Sequence, residues 1–156
     1  MADDTRTPVL TGGCQCGAVR YALYEELRSA DICHCRMCQR ALGNLFMATA
    51  GVPLDRFAWT RGEPALFRSY SVAERGFCPA CGTPLTFRYL ARESISVTTG
   101  SLDDPARAKP TRQYGSESRV PWWRELFDLP GSTTAENPPP GGLQALQSYQ
   151  HASDEH

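Results

Sequence analysis

The chain has 156 residues, 41% of them hydrophobic and 21% charged, with a net charge of −1. That balance suits one folded domain plus a tail, and it excludes a disordered polar chain and the basic groove that nucleic-acid binding needs. No segment approaches the ~18 consecutive apolar residues of a membrane span, and Met1-Ala2-Asp3-Asp4-Thr5 has neither part of a secretion signal, so a reducing cytoplasm is the expected setting.

Residues 1–8 are polar and read as loose. Val19, Tyr21 and Leu23 then alternate with Arg20 and Ala22, the period-two pattern of a half-buried strand. Asn44 to Val52, Pro64 to Tyr70, Thr83 to Leu90 and Ser94 to Thr99 are rich in aromatic and β-branched residues and predict further strands. Helices are few and short: one after Cys35, one near Pro105 and one starting around Pro121, where proline suits a first helical turn. The expected body is mostly β, in several short antiparallel sheets. After Pro130 the composition shifts to Gly, Ser and Thr, and then to Pro138-Pro139-Pro140-Gly141-Gly142, which reads as a linker. Domain 1–130 and tail 131–156 follow from that break. Leu143, Leu146 and Tyr149 fall on one side of a short helix that is not stable alone.

All seven cysteines lie in three clusters: Cys14-x-Cys16 followed by Gly17, Cys33-His34-Cys35-x-x-Cys38, and Cys78-Pro79-Ala80-Cys81 followed by Gly82. A C-x-x-C turn aims two thiolates at one metal, and a glycine just after it lets backbone N–H groups approach the sulfurs. Cys14, Cys16, Cys78 and Cys81 together supply the four ligands of a closed, structural zinc site. If the chain is extended up to Cys35, Cys33 and Cys35 share a face while His34 points away, and a turn brings Cys38 back. Three ligands then leave one position open, the arrangement of a catalytic zinc. Spacing alone leaves other partitions open, with one outside cysteine joining the middle cluster, and leaves a redox pair at Cys78 and Cys81 as the competing reading. His34 is better read as packed than as a ligand. Arg36, Arg40 and Arg119 are candidate cations for a thiolate-rich centre, and Trp122 a candidate pocket wall beside Arg119.

These clusters, in this order and spacing, resemble the glutathione-dependent formaldehyde-activating enzyme family, which includes the centromere protein V domain. The resemblance rests on Thr11 to Tyr21, Cys33 to Arg40 and Phe77 to Thr83. Weaker echoes are Thr99 to Asp104, Ser118 to Trp122 and Asp128-Leu129-Pro130, so about residues 9–130 are covered. It implies a β-tent fold, a structural zinc on Cys14, Cys16, Cys78 and Cys81, and a catalytic zinc on Cys33, Cys35 and Cys38. It also implies carbon–sulfur lyase chemistry on an S-hydroxymethylglutathione-like adduct, with glutathione as a substrate. The chain departs from the family where a histidine often precedes the Ser-x-x-Pro-Trp segment; here Arg112-Gln113-Tyr114 stands. The other reading of the same residues is a non-catalytic zinc module that binds a protein or small-molecule partner.

Overall fold

Short runs of β-branched and aromatic residues, broken every few positions by Gly, Pro or Asp, fold into two sheets. The computed structural model describes residues 6–152. In chain order the strands are β1 (Leu10–Gly13), β2 (Arg20–Leu23), β3 (Ser29–Cys33), β4 (Met47–Pro53), β5 (Phe57–Arg61), β6 (Ala65–Tyr70), β7 (Ala73–Phe77), β8 (Pro84–Tyr89), β9 (Ser94–Thr98) and β10 (Arg112–Tyr114). One α-helix, α1 (Arg36–Leu42), follows β3. The small sheet runs β1-β2-β5 and the large one β10-β3-β4-β9-β8-β7-β6. All neighbours are antiparallel except β10, which lies parallel to β3 with Tyr114 opposite Cys33. This mostly β architecture is the expected one, with the parallel β3–β10 pair as the exception to antiparallel order.

Strand β2 departs from the half-buried reading, because all four of its residues are buried. It is the central strand of its sheet, and Arg20 is tolerated inside because its guanidinium meets the Asp103 carboxylate at 2.5 Å. Tyr21 stacks on Phe57 and meets Trp59 edge-on, joining the small sheet to a core of Leu10, Val19, Leu23, Val52, Leu85, Ile95 and Val97.

The helix expected after Cys35 is α1, which ends at Gly43 in the left-handed conformation (φ 58°). The turns near Pro105 and Pro121 are 3-10 segments, Pro105–Arg107 and Trp123–Asp128. Neither buries a residue, so no apolar face drives them on into an α-helix. In the tail only Leu143–Ala145 makes one 3-10 turn, and Leu146 and Tyr149 are exposed; 153–156 and 1–5 lie outside the described residues. The tail returns to the body at His151, whose N–H donates to the Gln15 carbonyl at 2.8 Å. No helix among the described residues is long and apolar enough to cross a membrane.

Candidate metal centres and the cavity beside one of them

The seven cysteines gather into two groups, Cys14, Cys16, Cys78 and Cys81 in one and Cys33, Cys35 and Cys38 in the other. Within each, all sulfurs lie within 4.8 Å of one another. A tetrahedral zinc with Zn–S bonds of about 2.3 Å places its sulfurs about 3.8 Å apart. The Cys14–Cys16 and Cys16–Cys78 sulfurs stand at 3.6 and 3.8 Å, so the donor set and its spacing fit that ion.

Two short turns build the first group. Each carries its cysteine pair ahead of a glycine with φ 77°, Gly17 in one and Gly82 in the other. A Cβ there would be strained, which is why glycine stands at the same place in both. Gly17 N–H donates to the Cys14 carbonyl and Gly82 N–H to the Cys78 carbonyl, closing the turns. Val19 N–H reaches Cys14 Sγ at 3.2 Å, and Thr83 Oγ1 lies 3.2 Å from Cys81 Sγ while accepting from Gln15 N–H. Thr83 thus ties one turn to the other. Burial works against ionising Cys81, yet hydrogen bonds from Thr83 and Cys16 outweigh it and bring that thiol down to about 6. At Cys16 the Ala18 N–H favours ionisation, but bonding to Cys81, desolvation and bonding to Cys14 and Cys78 together outweigh it and drive that thiol up to about 12.

The second group comes from one segment. Cys33 ends β3, Cys35 caps α1 with its sulfur accepting from Cys38 N–H at 3.4 Å, and Cys38 sits in the first turn of the helix. Burial pushes the Cys33 thiol up to about 12 and raises Cys38 too, although Arg75 pulls Cys38 the other way. At Cys35 burial is outweighed by hydrogen bonds from Cys38, Cys33 and the Met37 N–H, and the thiol falls below its ordinary value. The backbone here is held from behind. Gln39 is buried and its Nε2 donates to the carbonyls of His34 (2.8 Å) and Ser118 (3.0 Å), while His34 N–H donates to the Tyr114 carbonyl. Gly115, at φ 64°, brings that loop so close to Cys35 that a Cβ would stand 2.9 Å from the Cys35 nitrogen.

The three-cysteine group opens on a cavity of about 700 Å³. Tyr70, Arg75, Phe87, Tyr89, Arg92 and Tyr114 are among its walls, and none of the other four cysteines reaches it. Of the rim arginines, Arg28 is tied to Glu25 and Arg112 to both carboxylate oxygens of Asp31. Arg92 stacks on the Tyr89 ring at 4.7 Å and pairs with no carboxylate among the described residues.

The candidate cations and pocket wall read from the sequence stand elsewhere. Arg36 donates to Gln39 Oε1, Arg40 borders a separate, apolar hollow between α1 and β7, and neither Arg119 nor the exposed Trp122 lines the cysteine cavity. His34 is fully buried, with Nε2 3.0 Å from Gln113 Oε1 and its ring edge-on to Trp123, so it packs as expected. The sequence reading missed Arg75, on β7. Its Nη2 lies 3.4 Å from Cys38 Sγ, its Nη1 3.1 Å from Met47 Sδ, and its guanidinium 4.9 Å from the Phe87 ring centre. No strand was expected over residues 73–77, so nothing in the local sequence marked Arg75; its burial follows from β7 lying between β6 and β8.

A family model described as glutathione-dependent formaldehyde-activating enzyme matches residues 9–117. Among curated proteins, an uncharacterized lyase of Schizosaccharomyces pombe is 32% identical over 82 residues, covering 53% of this chain and 59% of that protein. The matched region thus spans about three fifths of the relative's length. Among solved structures, the crystal structure of a Rhodobacter sphaeroides protein superposes with a TM-score of 0.53 at 24% identity, over 66% of this chain and 98% of that one, a likeness of fold.

Proposed function

The chain belongs to the glutathione-dependent formaldehyde-activating enzyme family, and on that premise we propose that it is a zinc-dependent carbon–sulfur lyase acting on a thiol–aldehyde adduct of the S-hydroxymethylglutathione type. The observation that carries this reading is the division of the cysteines: four converge from two turns with a full set of ligands and stand away from the cavity, and three face a cavity large enough for a peptide thiol. In this reading Cys14, Cys16, Cys78 and Cys81 hold a structural zinc, and Cys33, Cys35 and Cys38 hold a catalytic one with a position left towards the cavity. The functional unit is residues 1–130, with 131–156 as linker and tail.

When bound, the second zinc supplies a Lewis acid at which a thiol is deprotonated at neutral pH. The chain's own residues then bind, shield and direct. Arg92, stacked on Tyr89 and without a carboxylate partner among the described residues, binds a carboxylate of the thiol substrate. The Phe87 and Tyr89 rings, packed edge-on at 5.0 Å, cover one wall and limit water. Tyr70 lines the same cavity; burial and then the nearby Cys35 and Cys38 raise its pKa, so its Oη keeps its proton and can donate to an oxygen. In the synthetic direction a bond forms between the thiol sulfur and the aldehyde carbon, and the thiol's proton ends on the aldehyde oxygen, towards which Tyr70 Oη donates. Cleavage reverses both changes.

The test is zinc content of protein purified without added metal, together with adduct formation from formaldehyde and glutathione followed by NMR. About two zincs per chain and an accelerated approach to equilibrium are expected. Two zincs with no acceleration for any thiol–aldehyde pair would make the protein a non-catalytic zinc-binding module.

A further inference from the structure

We infer that Arg75 is the positioning residue that makes the three-cysteine centre a receptor for anionic thiolates, by supplying the positive charge that the cysteine ligands leave unbalanced. The inference rests on the proposal that Cys33, Cys35 and Cys38 hold a divalent metal. Three cysteinates around such an ion leave one net negative charge, and an incoming thiolate leaves two. Accumulated negative charge works against binding another anion unless a cation stands close by.

Arg75 is that cation. It is buried, yet no carboxylate pairs with it among the described residues. Its partners are the sulfur of Cys38, the thioether of Met47 and the face of Phe87, and its Nε has no hydrogen-bond partner there. A buried guanidinium facing only neutral groups would carry a large desolvation cost. Facing Cys38 as a thiolate, the same guanidinium makes a charge-assisted bond in a medium where screening is weak. Its placement keeps it there. Arg75 sits on β7 between Phe67 of β6 and Phe87 of β8, and it borders both the cysteine cavity and the apolar hollow behind it. Arg75 itself is 8% exposed, and its Nη2 end is turned to the Cys38 sulfur, so the charge is directed at the centre.

A neutral ligand gains little from this charge and an anionic one gains much, so the signature of Arg75 is selectivity. The test uses the full chain with cobalt(II) in place of zinc, titrating 2-mercaptoethanol and, separately, imidazole, both read from the visible absorption of cobalt. 2-Mercaptoethanol binds as a thiolate but has no carboxylate, so Arg92 does not enter the comparison. In Arg75→Met, which keeps an apolar stem of similar length, thiol affinity is expected to fall at least about tenfold while imidazole affinity stays within about twofold. Arg75→Lys should recover part of the thiol affinity. Equal losses for both ligands would mean a packing role, and an unchanged thiol affinity would mean that the charge is not felt; either overturns the inference. If Arg75→Met does not fold, Arg75→Gln, neutral and polar, is subject to the same expectations. Uptake of one cobalt by the wild type, with Cys33, Cys35 and Cys38 open to alkylation, would remove the metal reading and this inference together. Two cobalts with unaltered selectivity in the variant would remove this inference alone.

Discussion

Cys14 and Cys78 belong to the same buried cluster as Val19, Leu85 and Val97, with Cys81 packed against it and Cys16 exposed, whereas Cys33, Cys35 and the buried Cys38 all line a cavity. The first group joins two turns far apart in the chain; Cys16 and Cys78 are separated by 62 positions. The second is gathered within a single strand-to-helix step. A cross-link over a long loop removes much conformational freedom from the unfolded chain, and one over a few residues removes little. The two centres are built from the same side chain and differ in what each does for the fold. With a metal on each group, as proposed above, the four-cysteine group would tie distant parts of the chain together, and the three-cysteine group would constrain only its own segment and could leave a coordination position open.

Breaking the four-cysteine group should have the largest consequence. Cys78→Ser removes a fully buried ligand, and the variant is expected to lose more than about 4 kcal/mol or fail to fold, as read by denaturant unfolding with zinc content measured alongside. Retained stability with one zinc fewer would show that the core does not need this centre.

Cys35→Ser sharpens the contrast from the other side. Serine is a favourable helix cap, so the hydrogen bond from Cys38 N–H survives while the soft sulfur ligand is lost. Zinc content should drop from about two to about one per chain with stability changed by no more than about 1 kcal/mol, and adduct chemistry should vanish. Full turnover in this variant would refute the assignment of the catalytic site.

Gln39→Ala deprives the His34 and Ser118 carbonyls of their shared donor and should cost about 1–3 kcal/mol. It should also weaken metal retention by the three-cysteine group alone, seen as one of two zincs passing faster to a chelator. Faster release of both would mean that the centres are not mechanically independent.

Tyr21→Phe is the mildest change, about 1 kcal/mol for the hydrogen bond to Ser101 Oγ at 2.8 Å. Burial raises the Tyr21 hydroxyl well above its ordinary 10.0. Above that value the unfolded chain loses the proton while the folded chain keeps it, so stability contributed by this group falls as pH rises past about 10. The phenylalanine variant should lose that part of the alkaline decline, measured by chemical denaturation on both sides of pH 10.

Much of the candidate site was legible because it is local. Gly17 and Gly82 mark turns that need a positive φ, and Cys35 stands where a strand ends and a helix begins, so the spacing of each cluster already encodes its shape. The strand-rich character between Asn44 and Thr99 was equally visible in its β-branched and aromatic runs. The full burial of β2 was not, because alternation is expected of a strand with one wet face, and only the sheet's partners decide whether both faces are covered.

The sequence alone determined the three local cysteine hooks, since a turn of three or four residues fixes where its own sulfurs point; the pairing of Cys14 and Cys16 with Cys78 and Cys81, across the 62 positions from Cys16 to Cys78, was left to tertiary structure. Tertiary structure decided which cation serves them. Arg36 and Arg40 are neighbours of the cysteines in sequence, yet Arg36 is taken by Gln39 and Arg40 borders the other hollow. Arg75 lies 37 positions from Cys38 and reaches it only because β7 pairs between β6 and β8 in the register that aligns Phe67, Arg75 and Phe87. Strand register is a long-range agreement among segments, and no local spacing records it.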